Sequence, residues 1–277
     1  MPAPVTLIAG LPFTEAHGRP HQLDLVLPTG VADGARPAVV WVPGNGWEGA
    51  RAEGLDDWCC PLLAAHGFVA ATVEYRPRQE APFPAQLHDV KGAIRWLRAN
   101  AATYGIDPER LGVWGFSAGG HLAALAGLTG DLPELEGEVG PAGHSSRVRA
   151  VAAGSPVTDF LRPGGALPRF PEVVAQLFGG AGPDKAGLMR LASPLAHVAG
   201  GAPPFLLAHG TADESAPFAQ SVALREALVA AGAAVAFVPL EGARHNWLAR
   251  PARFPGESKV RDFGPLALGF FREHLRL

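Results

Sequence analysis

Cysteine is almost missing from this 277-residue chain: there are two, and they are adjacent, Cys59 and Cys60. A disulfide framework needs spaced pairs, and a thiolate metal site needs at least a Cys-x-x-Cys separation, so neither is expected. The pair reads as two small apolar side chains buried on a helix. Charge is sparse too, at 18% of residues, with 23 basic against 26 acidic positions and a net charge of -3. No basic tract stands out, and nucleic-acid binding rests on clustered Lys and Arg, so no nucleic-acid partner is expected. Long apolar runs are also lacking. The longest, residues 228–240, contains Gly232 and Pro239 and is too short to span a bilayer. The opening Met1-Pro2-Ala3-Pro4-Val5 has no basic segment leading into an apolar run. The sequence therefore reads as a cytoplasmic protein without a membrane partner.

What is present is apolar material, 48% of residues, enough for a large core. At roughly 150 residues per domain the length gives a quotient of about 1.8, which fits one large domain or two small ones. Glycine (35) and proline (27) are frequent and imply many tight turns.

A short apolar run, a turn and a helical stretch recur along the chain. Runs at 39–42, 68–75, 111–115, 148–152, 205–209 and 235–238 suit strands buried on both faces. Between them, 86–100 carries Leu87, Val90, Ile94 and Leu97 on one helical face, with Lys91, Arg95 and Arg98 largely on the other. Residues 107–110 read as a turn. The expected architecture is an α/β fold with a mainly parallel central sheet, helices on both faces, and antiparallel N-terminal strands near 5–8 and 23–27. Two longer Gly- and Pro-rich stretches, 129–147 and 161–193, are candidates for a small partial cap, the second with a short helix at 171–178 closed by Gly179.

The most specific signal is Gly115-Phe116-Ser117-Ala118-Gly119, set between an apolar strand and a strong helix former. Strand, sharp turn and helix form the setting of a nucleophile elbow. Flanking glycines let the backbone turn without a Cβ clash, and the helix N-terminus offers free N–H groups to a developing oxyanion. A serine hydroxyl needs a base, and the base needs an orienting carboxylate. In this architecture the order is serine, acid, histidine. His17, His21, His66 and His88 precede Ser117, and His121 lies one helical turn beyond it, suited to packing beside the elbow. Asp213 follows the 205–209 run, and after it only His245 and His274 remain, the latter in a terminal helical stretch. The expected triad is Ser117, Asp213 and His245. Asp159 is the runner-up acid, with an Asx turn as its structural role, and Glu214 ranks behind both.

The second oxyanion donor should come from the loop after an earlier strand, here Pro43-Gly44-Asn45-Gly46-Trp47. Gly44 and Gly46 permit close backbone approach, and the N–H groups of Asn45 or Gly46 would act with that of Ala118. Trp47, Phe116, Phe160 and Trp247 are the aromatic candidates for the substrate pocket, with Trp247 expected to narrow its mouth.

Taken together, the elbow region 115–127, the run 85–97 and His209-Gly210-Thr211-Ala212-Asp213-Glu214 resemble α/β-hydrolase serine esterases. The similarity is to the branch of bifunctional feruloyl and acetyl-xylan esterase-like proteins and hormone-sensitive-lipase-like carboxylesterases, and it runs from about Leu23 to the terminal helix. Two departures stand out. The family's oxyanion loop usually reads His-Gly-Gly-Gly-Trp, so Pro43 replaces a bracing histidine and Asn45 a glycine. Around the base, Gly-His-Gly-Phe is replaced by Arg244-His245-Asn246-Trp247.

The resemblance implies hydrolysis of small or short-acyl esters, acetyl esters among them, through an acyl-enzyme with no metal or organic cofactor. An arylformamidase-like amide hydrolase is the alternative enzyme, and a non-catalytic binding protein on the same fold the alternative class. The partner is a small-molecule ester, and a homodimer stays open. Because the three triad positions are spread from 117 to 245, the sequence is read as one domain over 1–277.

Overall fold

Eight strands hydrogen-bond in the order β1-β2-β4-β3-β5-β6-β7-β8. The computed structural model describes residues 4–16, 19–30, 34–49, 58–162, 170–247 and 260–277. Strands β1 (Val5–Ala16) and β2 (Arg19–Pro28) form an antiparallel pair, and β2 lies antiparallel to β4 (Val69–Val73). From there β4, β3 (Arg36–Val42), β5 (Ile106–Phe116), β6 (Ala150–Gly154), β7 (Phe205–Gly210) and β8 (Val235–Leu240) are all parallel. This is the α/β-hydrolase architecture with antiparallel N-terminal strands.

Alternation along the strands divides the core between the two faces. Ala38, Val40 and Val42 of β3 and Val113 of β5 join one buried cluster. It also takes in residues of α2 (Ala85–Ala99), α3 (Ala101–Tyr104), α4 (Ala118–Leu128) and α8 (Phe218–Ala230). Val39, Trp41 and Trp114 point the other way, into a cluster with α1 (Cys59–Ala65) and α9 (Val260–Leu275). Cys59 and Cys60 are buried there, at the start of α1, as small core residues. Such strands, covered on both sides, carry continuous apolar runs because water reaches neither face.

Two local expectations are corrected. The turn over 107–110 is carried inside β5 as an irregularity: the pairing with β3 jumps from Arg36–Ile106 to Ala38–Leu111. Asp107 Oδ1 accepts the Glu109 N–H at 2.9 Å, an Asx turn nested in a strand. The run read at 148–152 is shifted by two residues, to 150–154. The polar face of α2 is itself covered, for Lys91 and Arg95 are buried. Lys91 Nζ donates to Thr129 O (2.6 Å) and Glu136 Oε1 (2.7 Å), and Arg95 Nη1 to Glu136 Oε2 (2.6 Å). Glu136 ends the short helix α5 (Pro133–Glu136), so stretch 129–147 lies on α2 as a buried ionic cover. Burial lowers the Lys91 pKa, and the Glu136 carboxylate opposes that shift.

In the second long stretch, α6 (Phe170–Leu177) forms the expected short helix, followed by α7 (Ala186–Leu191). Residues 163–169 of that stretch lie outside the described residues. Among the described residues, no helix is long and apolar enough to cross a membrane.

Candidate active site

The carboxyl ends of β3, β5, β6, β7 and β8 converge on one edge of the sheet, where an open α/β sheet places its ligands. Ser117 follows β5 directly, with φ 55 and ψ -122, a conformation that L-residues rarely hold. The surroundings enforce it: Ser117 N–H donates to Gly154 O at 2.8 Å, and α4 begins at the next residue. A Cβ at Gly119 would stand 2.0 Å from Val42 O, so only glycine lets α4 start this close to β3. Backbone strain of this kind persists only where neighbouring structure over-determines it.

Ser117 Oγ is 2.9 Å from His245 Nε2, and His245 Nδ1 is 2.8 and 2.9 Å from Asp213 Oδ2 and Oδ1. A proton on Nδ1 is required to bond the carboxylate. That leaves the Nε2 lone pair facing the serine hydroxyl, ready to accept its proton. The Asp213 side chain is fully buried, while that of His245 is 13% exposed. Burial alone would raise the Asp213 pKa. Hydrogen bonds from His209 and His245, and the Ala216 N–H, outweigh it and hold the carboxyl well below the usual carboxylate range.

Two members of this arrangement escaped the sequence reading. Ser155, just past β6, donates to Asp213 Oδ2 at 2.8 Å. His209, at the end of β7, sits 3.3 Å from the same oxygen, with its Nε2 also 2.8 Å from Ala216 O and its Nδ1 2.7 Å from Ser221 Oγ. Asp159 stays apart from His245 and caps its own turn, accepting the Leu161 N–H at 2.9 Å. Glu214 pairs with Arg244 and accepts the His245 N–H at 3.3 Å.

The loop after β3 passes against the elbow. A Cβ on Gly44 would meet Phe116 O at 2.7 Å, which explains glycine at that position. Asn45, Gly46 and Trp47 then adopt φ of 65, 58 and 61, three successive left-handed residues. For non-glycine residues this costs roughly 1–2 kcal/mol each. Side chains brace the turn. Tyr75 Oη lies 2.9 Å from both Pro43 O and Gly44 O, a single donor shared between two carbonyls. Trp47 Nε1 donates to His121 Nδ1 at 3.0 Å, and His121 Nε2–H donates to Ala192 O at 2.8 Å. Burial pushes the His121 pKa down to about 4, so its Nδ1 remains a neutral acceptor. Tyr75 and His121 thus brace the loop that begins at Pro43.

A cavity of about 380 Å³ opens over Ser117 and His245. Asn45, Gly46, Trp47, Phe116 and Ala118 line it, together with Val173 of α6. Two of the four aromatic candidates do not. Trp247 is buried beneath the site with its Nε1 bonded to Ser155 Oγ at 2.9 Å, edge-on to Phe116 and Phe263. Phe160 is also buried, packed against Trp47, His121 and Phe178. Stretch 129–147 contributes none of the lining residues. Among the described residues, no cluster of three or more His, Cys, Asp or Glu side chains is arranged to hold a metal ion.

The chain is similar to several known proteins. A family profile described as BD-FAE matches residues 23–228. Esterase LipQ of Mycobacterium tuberculosis is 35% identical over 240 residues, which are 82% of this chain and 54% of that protein. The chain spans about half the length of the curated relatives it matches. Among solved structures, a truncated carbohydrate esterase from gut microbiota superposes with a TM-score of 0.83 at 29% identity, covering 98% of this chain and 97% of that one. A propionate-bound thermophilic esterase of Thermogutta terrifontis gives 0.77 at 28% identity, covering 98% and 94%.

Proposed function

The chain belongs to the BD-FAE family, and from that premise we propose that it is a serine carboxylesterase working through an acyl-enzyme on small, short-acyl esters. The observation that carries this reading is the continuous path from Ser117 Oγ through His245 to the buried Asp213 carboxylate, at 2.9 and 2.8 Å. As Ser117 Oγ attacks the ester carbonyl, His245 Nε2 takes its proton and Asp213 stabilises the resulting imidazolium. Collapse of the tetrahedral intermediate breaks the bond to the alcohol, which leaves with the proton from His245. Water then repeats the sequence on the acyl-enzyme and frees the acid.

The oxyanion would be met by backbone N–H groups of Asn45, Gly46 and Ala118. No described residue accepts from these three groups. The three residues line a cavity whose size, about 380 Å³, suits a short acyl group with a modest alcohol. The Thermogutta relative held propionate in one structure and butyrate in another, which agrees with that size. Within a single domain, α6 acts as a partial cap through Val173.

The test is hydrolysis of p-nitrophenyl acetate beside p-nitroacetanilide, by the wild-type chain and Ser117→Ala. Esters and amides share the tetrahedral intermediate and differ in leaving group, so this pair separates the esterase from an amide hydrolase. The expected result is rapid ester cleavage, little anilide cleavage, and neither in the folded variant. Ester hydrolysis unchanged in Ser117→Ala would overturn the assignment.

A further inference from the structure

Arg78 is an almost fully covered cation, its side chain 8% exposed, and it reaches three acceptors on two segments at once. Its Nη1 donates to Gly46 O, its Nη2 to Glu48 Oε1 at 3.0 Å, and its Nε to Gln176 Oε1 of α6 at 3.0 Å. Its main-chain N–H donates to Trp47 O at 2.8 Å. A peptide unit is planar, so fixing a carbonyl fixes the following N–H on the opposite side. Applied along the loop, every plane has an owner. Tyr75 holds the carbonyls of Pro43 and Gly44, the Glu48 N–H holds that of Asn45, and Arg78 holds those of Gly46 and Trp47. Truncate the Arg78 side chain, and the Gly46 carbonyl, in the middle of the left-handed run, loses its donor beside the groups proposed to meet the oxyanion, while the main-chain bond to Trp47 O stays.

The same side chain ties this loop to the cavity cover. Gln176 lies one turn along α6 from Val173, which lines the cavity and packs near Gly46. We propose that Arg78 is a positioning residue that holds the oxyanion loop in its left-handed form and couples that form to the seating of α6. The proposal rests on the serine-hydrolase reading above. Arg78 acts through the loop and does not touch the reacting atoms. Its effect falls on interactions made in the transition state, and therefore on kcat more than on KM.

The experiment compares wild type, Arg78→Met, Arg78→Lys and Gln176→Ala by kcat and KM for p-nitrophenyl acetate and by inhibition with a trifluoromethyl ketone. That ketone forms an oxyanion on adding serine. In Arg78→Met, kcat should fall about 30-fold at nearly constant KM, a loss smaller than that for deleting an oxyanion donor outright. Ketone affinity should weaken in proportion. Arg78→Lys should recover part of the loss, because an ammonium reaches fewer of the three acceptors. Gln176→Ala, an exposed change, should cost a few-fold in kcat and carries the test with Arg78→Lys if Arg78→Met does not fold. A folded Arg78→Met with wild-type kcat and ketone affinity overturns the proposal, as does wild-type kcat in both of the other variants. An inactive wild-type chain would instead overturn the hydrolase reading, and this inference with it.

Discussion

Ser155 donates a 2.8 Å hydrogen bond to Asp213, and its own oxygen accepts the Trp247 indole N–H at 2.9 Å. The buried tryptophan and the carboxylate that orients His245 are therefore parts of one chain of hydrogen bonds. Ser155 itself sits at φ 41, a position a serine holds only when its surroundings fix it.

Ser155→Ala should consequently act on both stability and rate. It leaves the Trp247 N–H buried without a partner, a cost of about 1–3 kcal/mol. Asp213 also loses one of its donors, so His245 is held less firmly. Chemical denaturation and steady-state kinetics should show a lower midpoint and a kcat reduced by about 10-fold, on the order of one charge-assisted hydrogen bond. Unchanged values in both would remove Ser155 from the account.

Gly44→Ala tests the contact between loop and elbow. Its Cβ would lie 2.7 Å from Phe116 O and 3.3 Å from Ser117 Cβ, and backbone cannot yield as a flexible side chain does. The loop must move away from the serine. The expected loss in kcat is about 100-fold or more, the scale of one misplaced oxyanion donor. Normal activity in this variant would show that the loop does not supply donors from its present position.

Acid should weaken the fold through His121. Its pKa is about 4 in the folded chain and near 6.5 when exposed, so the unfolded chain binds the proton first as pH falls. The stabilisation is complete above about pH 6.5 and is lost as pH falls through about 4, on the order of 3 kcal/mol in all. His88, pushed down to about 4 mainly by burial, adds in the same direction. Asp213 stays ionised throughout this window, because its pKa is held below the usual range. Thermal melts from pH 7 to pH 4 should show a falling Tm, with a shallower slope in His121→Gln. Equal slopes would contradict the assignment to His121.

Much of this was legible in the sequence, for reasons that differ between parts. The strands were visible because they are buried on both faces and so carry unbroken apolar runs, as in β3 and β7. The elbow was visible because a tight strand-to-helix turn leaves its mark in Gly115, Gly119 and Gly120. Chain order then singled out Asp213 and His245. Contacts between distant segments were not legible. Ser155 is 58 residues from Asp213, and Arg78 is 98 residues from Gln176. Trp247 was misplaced because neighbouring His245 in sequence does not reveal which side of the loop its ring takes. The partner of the α2 cations, Glu136, was not legible because it arrives from a stretch without periodicity.

The central claim is that Ser117 is a nucleophile activated by His245. The most direct measurement is intact-protein mass spectrometry after treatment with a fluorophosphonate, followed by peptide mapping. Ser117 Oγ would bond to phosphorus as fluoride leaves and His245 takes the proton. The account predicts one stoichiometric adduct, located on Ser117, absent in Ser117→Ala and formed far more slowly in His245→Ala. No adduct on a folded chain, or an adduct that persists in Ser117→Ala, would contradict it.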